Sequence, residues 1–515
     1  MCYNITIQLE IGIEGMEILL DRGSSTPLYL QIKNRLREKI ESGELFPATK
    51  LPPTRALAAA LGVNRVTVVN AYAELEAEGL VSSHVGRGTF VAPLVGEDRE
   101  EETVPAWPSA LALSSRFSAN SAVRDMLRLA HKPGVISFAL GGPATDSLPV
   151  SEFRRAINTV LRKQGEEALQ YGVPEGYWPL RVSISRYLAG QGVQIPPEEI
   201  LITSGSQQGV DLVARALLRE RDCLVTESPT YPGAIDAFEA RGARLAGVPI
   251  DREGMRVGML ENVILQHRPR LIYAMPTFQN PSGVCMSNER RKELLTLARR
   301  YGVLVVEDAT YSELRYEGHP QPALRTLAGE VIYIGSFSKI FLPGIRVGYL
   351  AAPPELYPRL VAAKQTSDLH TSSLEQRALD LYLREGHLEA HLRKMCRLYR
   401  ERREAMIESL EKYLPNEVRW MRPAGGFHLW VMLPEELSAA ELYLVAIQYG
   451  VAFAPGTAFF PDRSGGSYMR LNFAAHLPET IEEGMRRLGK ALKECLVRPG
   501  RKVEHLAYTP TPALV

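Results

Sequence analysis

Five short apolar runs beyond about Val135, "ILITSG", "CLVTES", "RLIYAMP", "GVLVVEDAT" and "VIYIGSFSK", alternate with helical segments, and no other feature restricts the fold as much. A strand that returns to lie parallel beside its neighbour needs a crossover helix. The pattern therefore predicts an α/β architecture with a mostly parallel sheet and helices on both faces. After roughly residue 380 a charged helical stretch, "LRKMCRLYRERREAMIESLEKYL", gives way to strand-like "GGFHLWVMLP" and "MRLNFAA", which predicts a smaller α+β subdomain closing the large one. At 515 residues the chain exceeds what a single core supports, so a further domain is expected upstream.

That upstream region reads differently. Leu28, Ile32, Leu36 and Ile40 recur every four residues and predict a first helix over 28–42. In "LPPTRALAAALGV", Thr54 is the expected N-cap and Gly62 the stop of a short second helix. Asn64 is the expected cap of a third, with Val68, Tyr72 and Leu75 facing inward and Gly79 ending it. Two helices joined by a tight glycine turn make a helix-turn-helix. "LVSSHVGRGTFVAP" then predicts two short strands around a Gly-Arg-Gly turn, the hairpin called a wing. The expected domains are a winged helix-turn-helix over 16–93, an acidic, Pro-containing linker over 94–129, the α/β domain over 130–495 and a disordered tail over 496–515. Residues 1–15 differ in character from the winged domain, and Met16 is the expected native start.

Composition excludes several classes. With 45% hydrophobic and 23% charged residues and a net charge of +1, the chain is ordinary for a soluble protein, and its bulk charge does not mark a nucleic-acid partner. Five cysteines stand without CxxC pairing or metal-ligand spacing, so neither a disulfide framework nor a metal site is expected. No basic leader or long apolar run is present, so the expected location is the cytoplasm, away from any membrane.

Charge placement is more telling than charge content. Between Thr49 and Ala73 stand Lys50, Arg55 and Arg65 with no Asp or Glu, whereas Glu74, Glu76 and Glu78 gather at the far end of the third helix. The positive end of that helix, by side chain and by dipole, would meet a phosphate backbone. Arg55, Asn64, Arg65, Thr67 and Asn70, with Arg87 and Thr89 on the wing, are the candidate contacts to duplex DNA. A merely solvated polar face could use the same residue types. Along its whole length, however, 27–92 resembles the winged helix-turn-helix of the GntR regulators, through "PLYLQI", "LPPTRALAAALGVNRVTVVNAYAELEAEGL" and "GRGTFV".

In the large domain, "VIYIGSFSK" delivers Lys339 to the C-terminal end of a buried strand, the edge where open parallel sheets keep their ligand sites. A poorly solvated lysine has a lowered pKa and suits Schiff-base chemistry. Ser336, Ser338 and Arg346 surround it with donors for a phosphate dianion. In "ITSGSQQGVDLVARAL" the N–H groups of Gly205, Ser206 and Gln207 would open a helix N-terminus, a second anion site. Asp308 and Tyr311 in "LVVEDATYSEL", Asn280 in "PTFQNPSG" and Tyr231 in "ESPTYPGA" supply a carboxylate, a phenol, an amide and a flat ring, fit for a pyridine nitrogen, a ring oxygen and a stacking face. Each has a plainer reading as a cap or turn residue. Together on strand ends and turns they describe one site.

Over about residues 130–495 these segments resemble the fold-type I, class I aminotransferases, which use pyridoxal 5'-phosphate (PLP). The resemblance implies Lys339 as the Schiff-base lysine, Asp308 on the ring nitrogen, Asn280 and Tyr311 on the ring oxygen, Tyr231 stacking, and Ser206, Gln207, Ser336, Ser338 and Arg346 around the phosphate. It further implies that Arg470 in "MRLNFA" grips a substrate α-carboxylate, with Asn280 and with Gly141 of "FALGGPA" beside it. Tyr171 in "YGVPEGYWPLR" would reach the phosphate of a neighbouring subunit, which implies a homodimer. A GntR-type head joined to such a domain resembles the MocR family of bacterial regulators. That resemblance implies a DNA-binding regulator that senses PLP or an amino compound through the Lys339 aldimine. The second reading is an active aminotransferase working on an amino acid and a 2-oxo acid, with the winged domain secondary. The side chain of the amino compound is open, because no second arginine is assigned by motif.

Overall fold

The computed structural model describes residues 18–46, 48–84, 88–92, 130 and 132–497. The start at Met16, the linker over 94–129, the wing residue Arg87 and the tail from 498 lie outside the described residues. The chain divides into two units, Met1–Ala110 and Leu111–Val515.

In the first unit the four-residue stripe forms α1 (Leu28–Glu41), which buries Ile32, Leu36 and Ile40. Helix α2 (Thr54–Leu61) ends at Gly62, which adopts the left-handed conformation (φ 62°) that glycine reaches without strain. Its start corrects the sequence expectation. The cap is Pro53, extended at ψ 139°, and Thr54 is already helical, because the Pro53 carbonyl accepts from Leu57 N at 3.0 Å and so closes the first turn. Helix α3 (Arg65–Ala77) starts as expected, with Asn64 Oδ1 accepting from Val66 N at 3.0 Å. Val68, Tyr72 and Leu75 of α3 pack into a core shared with α1 and α2; each such side chain contributes on the order of 1.5–3 kcal/mol. Strands β1 (Val81–His84) and β2 (Gly88–Val91) pair antiparallel as the wing.

In the second unit, β3 (Ile136–Ser137) is a short strand ahead of the main sheet. That sheet holds β4 (Ile200–Thr203), β5 (Cys223–Ser228), β6 (Arg244–Asp251), β7 (Gly254–Met255), β8 (Leu271–Ala274), β9 (Leu304–Asp308), β10 (Ile332–Ser336) and β11 (Gly348–Ala351). Its order is β4-β11-β10-β9-β8-β5-β6-β7, and the five strands read from the apolar runs are all present. The run from β10 through β9, β8 and β5 to β6 is parallel. Strand β11 opposes both β10 and β4, so β4 runs the same way as β10. The C-terminal ends of β4, β5, β8, β9 and β10 therefore share one edge. Their residues read as unbroken apolar runs because both faces of the sheet are buried.

The smaller sheet joins β12 (Arg419–Trp420), β13 (His428–Met432), β15 (Ala454–Pro455) and β16 (Tyr468–Asn472), in the order β12-β13-β16-β15. The remaining strand, β14 (Val451–Ala452), pairs parallel with β3 and fixes where the following loop, 138–142, begins. The long charged helix spans His387–Tyr413, and the last helix spans Pro478–Val497, so Leu496 and Val497 belong to that helix rather than to a tail. Its buried stripe runs from Ile481 to Leu492, and Leu496 and Val497 extend the helix as exposed residues. Among the described residues no helix is long and apolar enough to cross a membrane.

Candidate functional sites in the two units

The shared strand edge of the second unit opens into a cavity of about 440 Å³ lined by Ser206, Gln207, Tyr231, Asn280, Asp308, Tyr311, Ser338, Lys339, Arg346, Arg470 and Gly141, together with small and apolar side chains. Residues far apart in the chain meet here because β4, β5, β8, β9 and β10 all end at one edge and β16 faces them. Gly205 and Ser336 are not lining residues: Gly205 precedes the lining Ser206, and Ser336 Oγ accepts from the backbone N of the lining Ser338.

Lys339 Nζ donates to Gly141 O at 2.8 Å. Burial, and then the Arg470 and Arg346 cations, bring its ammonium down from 10.5 to about 8, with Asp308 opposing. Asp308 terminates β9 and is buried; Oδ2 accepts from Tyr273 OH at 2.7 Å, and Oδ1 accepts from Thr310 N at 3.0 Å and from Thr310 Oγ1 at 2.5 Å. Burial raises its pKa while those hydrogen bonds and Lys339 lower it, and burial dominates. Tyr273 had no sequence signal, since within "RLIYAMP" it reads as one more apolar strand residue.

At the opposite side, Arg470 of β16 is buried, with Nη1 donating to Asn280 Oδ1 at 2.9 Å and Nη2 to Ala139 O at 2.6 Å. Its Nε is buried without a partner among the described residues, and its guanidinium lies 4.9 Å from the Phe459 ring centroid. Burial pulls this guanidinium down to about 10. A buried cation that lines a cavity attracts an anionic group. The neighbouring loop is held by Asn472 Nδ2, which donates to Leu140 O and to Gly142 O, the latter at 3.0 Å. Tyr311 OH lies 3.1 Å from Nε2 of His428, a residue the sequence reading passed over.

A third corner is built for an anion as well. Gly205 (φ 91°) precedes the helix Ser206–Leu217, whose first N–H groups face the cavity edge. A Cβ at Gly205 would fall 2.5 Å from Arg346 Nη2, so the cradle closes around a bare backbone. Arg346 Nη1 donates to Ser338 Oγ at 3.1 Å and Nη2 to Ser204 O at 3.1 Å, while Ser336 Oγ accepts from Ser338 N at 3.1 Å. Tyr231 OH donates to Gln207 Oε1 at 2.9 Å, tying the flat ring to the same corner. Tyr171 is not part of its own chain's cavity: it is 85% exposed and packs edge-on against His370 at 5.7 Å.

In the first unit Arg55, Asn64, Arg65 and Asn70 are exposed and Thr67 and Thr89 are half-buried. Thr89 Oγ1 shares a hydrogen bond of 3.1 Å with Ser83 Oγ, and Asn64 spends Oδ1 on its cap. Val66 and Val69 are also exposed, which puts apolar residues on both faces of α3. Lys33 of α1 pairs with Glu78 at 2.6 Å and with Glu74 at 3.2 Å. With Arg37, which also pairs with Glu78, Lys33 offsets part of the acidic end of α3, and Arg65 is the one charged residue in its N-terminal half.

Residues 133–488 match the family described as aminotransferase class I and II, and residues 28–91 match the bacterial regulatory proteins of the gntR family. The 2-aminoadipate transaminase of Thermus thermophilus is 42% identical over 76% of this chain and 98% of its own length. The probable rhizopine catabolism regulatory protein MocR of Rhizobium meliloti is 34% identical over 92% of this chain and 95% of its own. Among solved structures, the α-aminoadipate aminotransferase LysN of Thermus thermophilus, complexed with N-(5'-phosphopyridoxyl)-L-leucine, superposes with a TM-score of 0.72 at 41% identity, covering 76% of this chain and 100% of that one.

Proposed function

The chain belongs to the class I and II aminotransferase family and carries a head of the bacterial gntR regulatory family, and from that premise we propose that it is a DNA-binding transcription regulator of the MocR type. Its large domain binds PLP and an amino compound, and the head binds a duplex operator. The single observation that carries this reading is the likeness to a two-part regulator over nine-tenths of the chain, head included. The exposed Arg65 at the start of α3 supports the DNA partner, and the cavity supports the ligand.

The cavity's residues fit PLP. Gly205, Ser206, Ser338 and Arg346 would hold the phosphate, since the cradle offers a helix N-terminus, a hydroxyl and a guanidinium and has no space for a Cβ at Gly205. Tyr231 would face the ring, Asp308 would accept from the ring nitrogen, and Asn280 and Tyr311 would meet the ring oxygen. Arg470, a buried cation lining the cavity, would take the α-carboxylate of the amino compound. Bound there, the cofactor supplies an aldehyde that condenses with amines and a ring that withdraws electrons. Lys339 contributes an amine that is partly unprotonated near neutrality, able to bond to a carbonyl carbon or to hold a proton. Buried Asp308, oriented by Tyr273 and Thr310, offers a fixed hydrogen-bond acceptor facing the cavity. The exposed Tyr171 ring supports a homodimer in which it reaches the partner's cavity, and the location is the cytoplasm.

A second reading is favoured by one observation, the 42% identity to a transaminase over the large domain. The two are separated by loading the full chain with PLP, adding amino acids one at a time, and measuring operator affinity and release of 2-oxo acid. A regulator changes its operator affinity without sustained release of oxo acid. Turnover with 2-oxoglutarate and indifference to every duplex would overturn the proposal.

A further inference from the structure

His428 is buried on β13, 1% exposed, against the cavity-lining Tyr311, and it is not itself a lining residue. Its Nε2 lies 3.1 Å from Tyr311 OH, and its Nδ1 is buried with no partner among the described residues. The two rings meet edge-on with centroids 5.3 Å apart, and Phe427 also packs edge-on against Tyr311 at 5.6 Å. Both side chains are almost wholly buried, His428 at 1% and Tyr311 at 3% exposure. The hydrogen bond is therefore a fixed element of the cavity wall.

We propose that His428 is a positioning residue: it donates from Nε2 to the Tyr311 hydroxyl oxygen, so that the phenolic proton of Tyr311 is turned toward the cavity and offered to an anionic oxygen of the ligand. Proton accounting leads to this arrangement. Burial, with Arg470 and Lys339 nearby, pushes the imidazole well below its ordinary value, so it is neutral and carries a single N–H. A proton on Nδ1 would be a buried donor with no acceptor among the described residues, the costly arrangement. A proton on Nε2 is hydrogen-bonded, and what is left bare is an acceptor, the less costly of the two orphans. With its oxygen accepting from His428, Tyr311 must send its own proton elsewhere. Burial also raises the phenol above its ordinary value, so that proton is present near neutrality. The hydroxyl borders the cavity, 3.8 Å from where a Cβ would stand on Gly141, the residue whose carbonyl receives Lys339 Nζ.

This inference rests on the PLP reading, in which the receiving oxygen belongs to the cofactor ring. Its test uses the full chain with four variants, His428→Phe, His428→Gln, Tyr311→Phe and the Tyr311→Phe/His428→Phe pair, titrated with PLP by absorption. His428→Phe should weaken PLP about fivefold, the worth of one ordinary hydrogen bond, and shift the absorption maximum. His428→Gln, whose amide can donate in the same place, should restore both. In the Tyr311→Phe background the His428 substitution should add nothing further. Nitrogen-15 spectra of histidine-labelled, PLP-free wild type should show Nε2 protonated, a readout independent of whether any variant folds. A proton on Nδ1, a Gln variant as weak as Phe, or a full His428 effect without Tyr311 would overturn the proposal. Failure of wild type to bind PLP would instead overturn the cofactor reading beneath it.

Discussion

The depressed Lys339 ammonium gives the sharpest prediction. Its descent from 10.5 to about 8 has burial as the main cause, with Arg470 the next contributor. At pH 7 that raises the unprotonated fraction about 300-fold, to roughly a tenth of the molecules. PLP-free protein should therefore capture PLP at a rate that climbs with pH and levels off near pH 8, whereas a solvated lysine would keep climbing past 10. Timed borohydride quenching, followed by intact mass, reads the adduct directly. Replacing Arg470 by Met removes a neighbouring positive charge, so the midpoint should move upward and capture at neutral pH should slow. The same lowered value has a stability consequence. Between the folded and unfolded pKa the unfolded chain holds more protons, so stability rises with pH through that window and is lost as pH falls through about 8, by about 3 kcal/mol at most. A capture midpoint near 10, or one indifferent to Arg470, would refute the reasoning.

Three further outcomes are expected. Lys339→Ala should leave no borohydride-stable PLP adduct, and stoichiometric labelling of that variant by mass spectrometry would place the reactive amine elsewhere. Gly205→Ala forces a Cβ onto a residue at φ 91° and to within 2.5 Å of Arg346; it should cost about 1–2 kcal/mol in urea denaturation and weaken PLP binding, and an unchanged variant would deny the tight cradle. Arg65→Ala should weaken operator binding and reduce the log-log salt slope by roughly one, and an unaltered slope in anisotropy titrations would move the phosphate contact to another residue.

Much of the architecture was legible because burial writes itself into apolar runs. "VIYIG", "LVVED" and "LITSG" announced strands ending in polar residues, and the parallel order put Lys339, Asp308 and Ser206 on one edge. The partners of those residues were less legible, since they come from distant strands whose sequence looks purely structural. Tyr273 passes for a core residue, and His428 in "GGFHLW" passes for a strand residue until β13 is seen beside Tyr311. Thr54 illustrates a local miss: residue preference favours Thr as a cap, but the rigid φ of Pro53 already supplies the carbonyl that starts the helix. The fold follows from pattern, whereas the hydrogen-bond partners follow from register between elements far apart in sequence.

The most direct test of the regulator reading is operator binding by the PLP-loaded full chain, using duplexes from upstream of its own gene, with and without each amino acid. Wild type should bind one duplex specifically and change affinity at least severalfold with one amino compound, and Lys339→Ala should bind the same duplex without that response. Equal binding to all duplexes, alongside sustained production of 2-oxo acid, would contradict the regulator reading and leave an aminotransferase with an idle head.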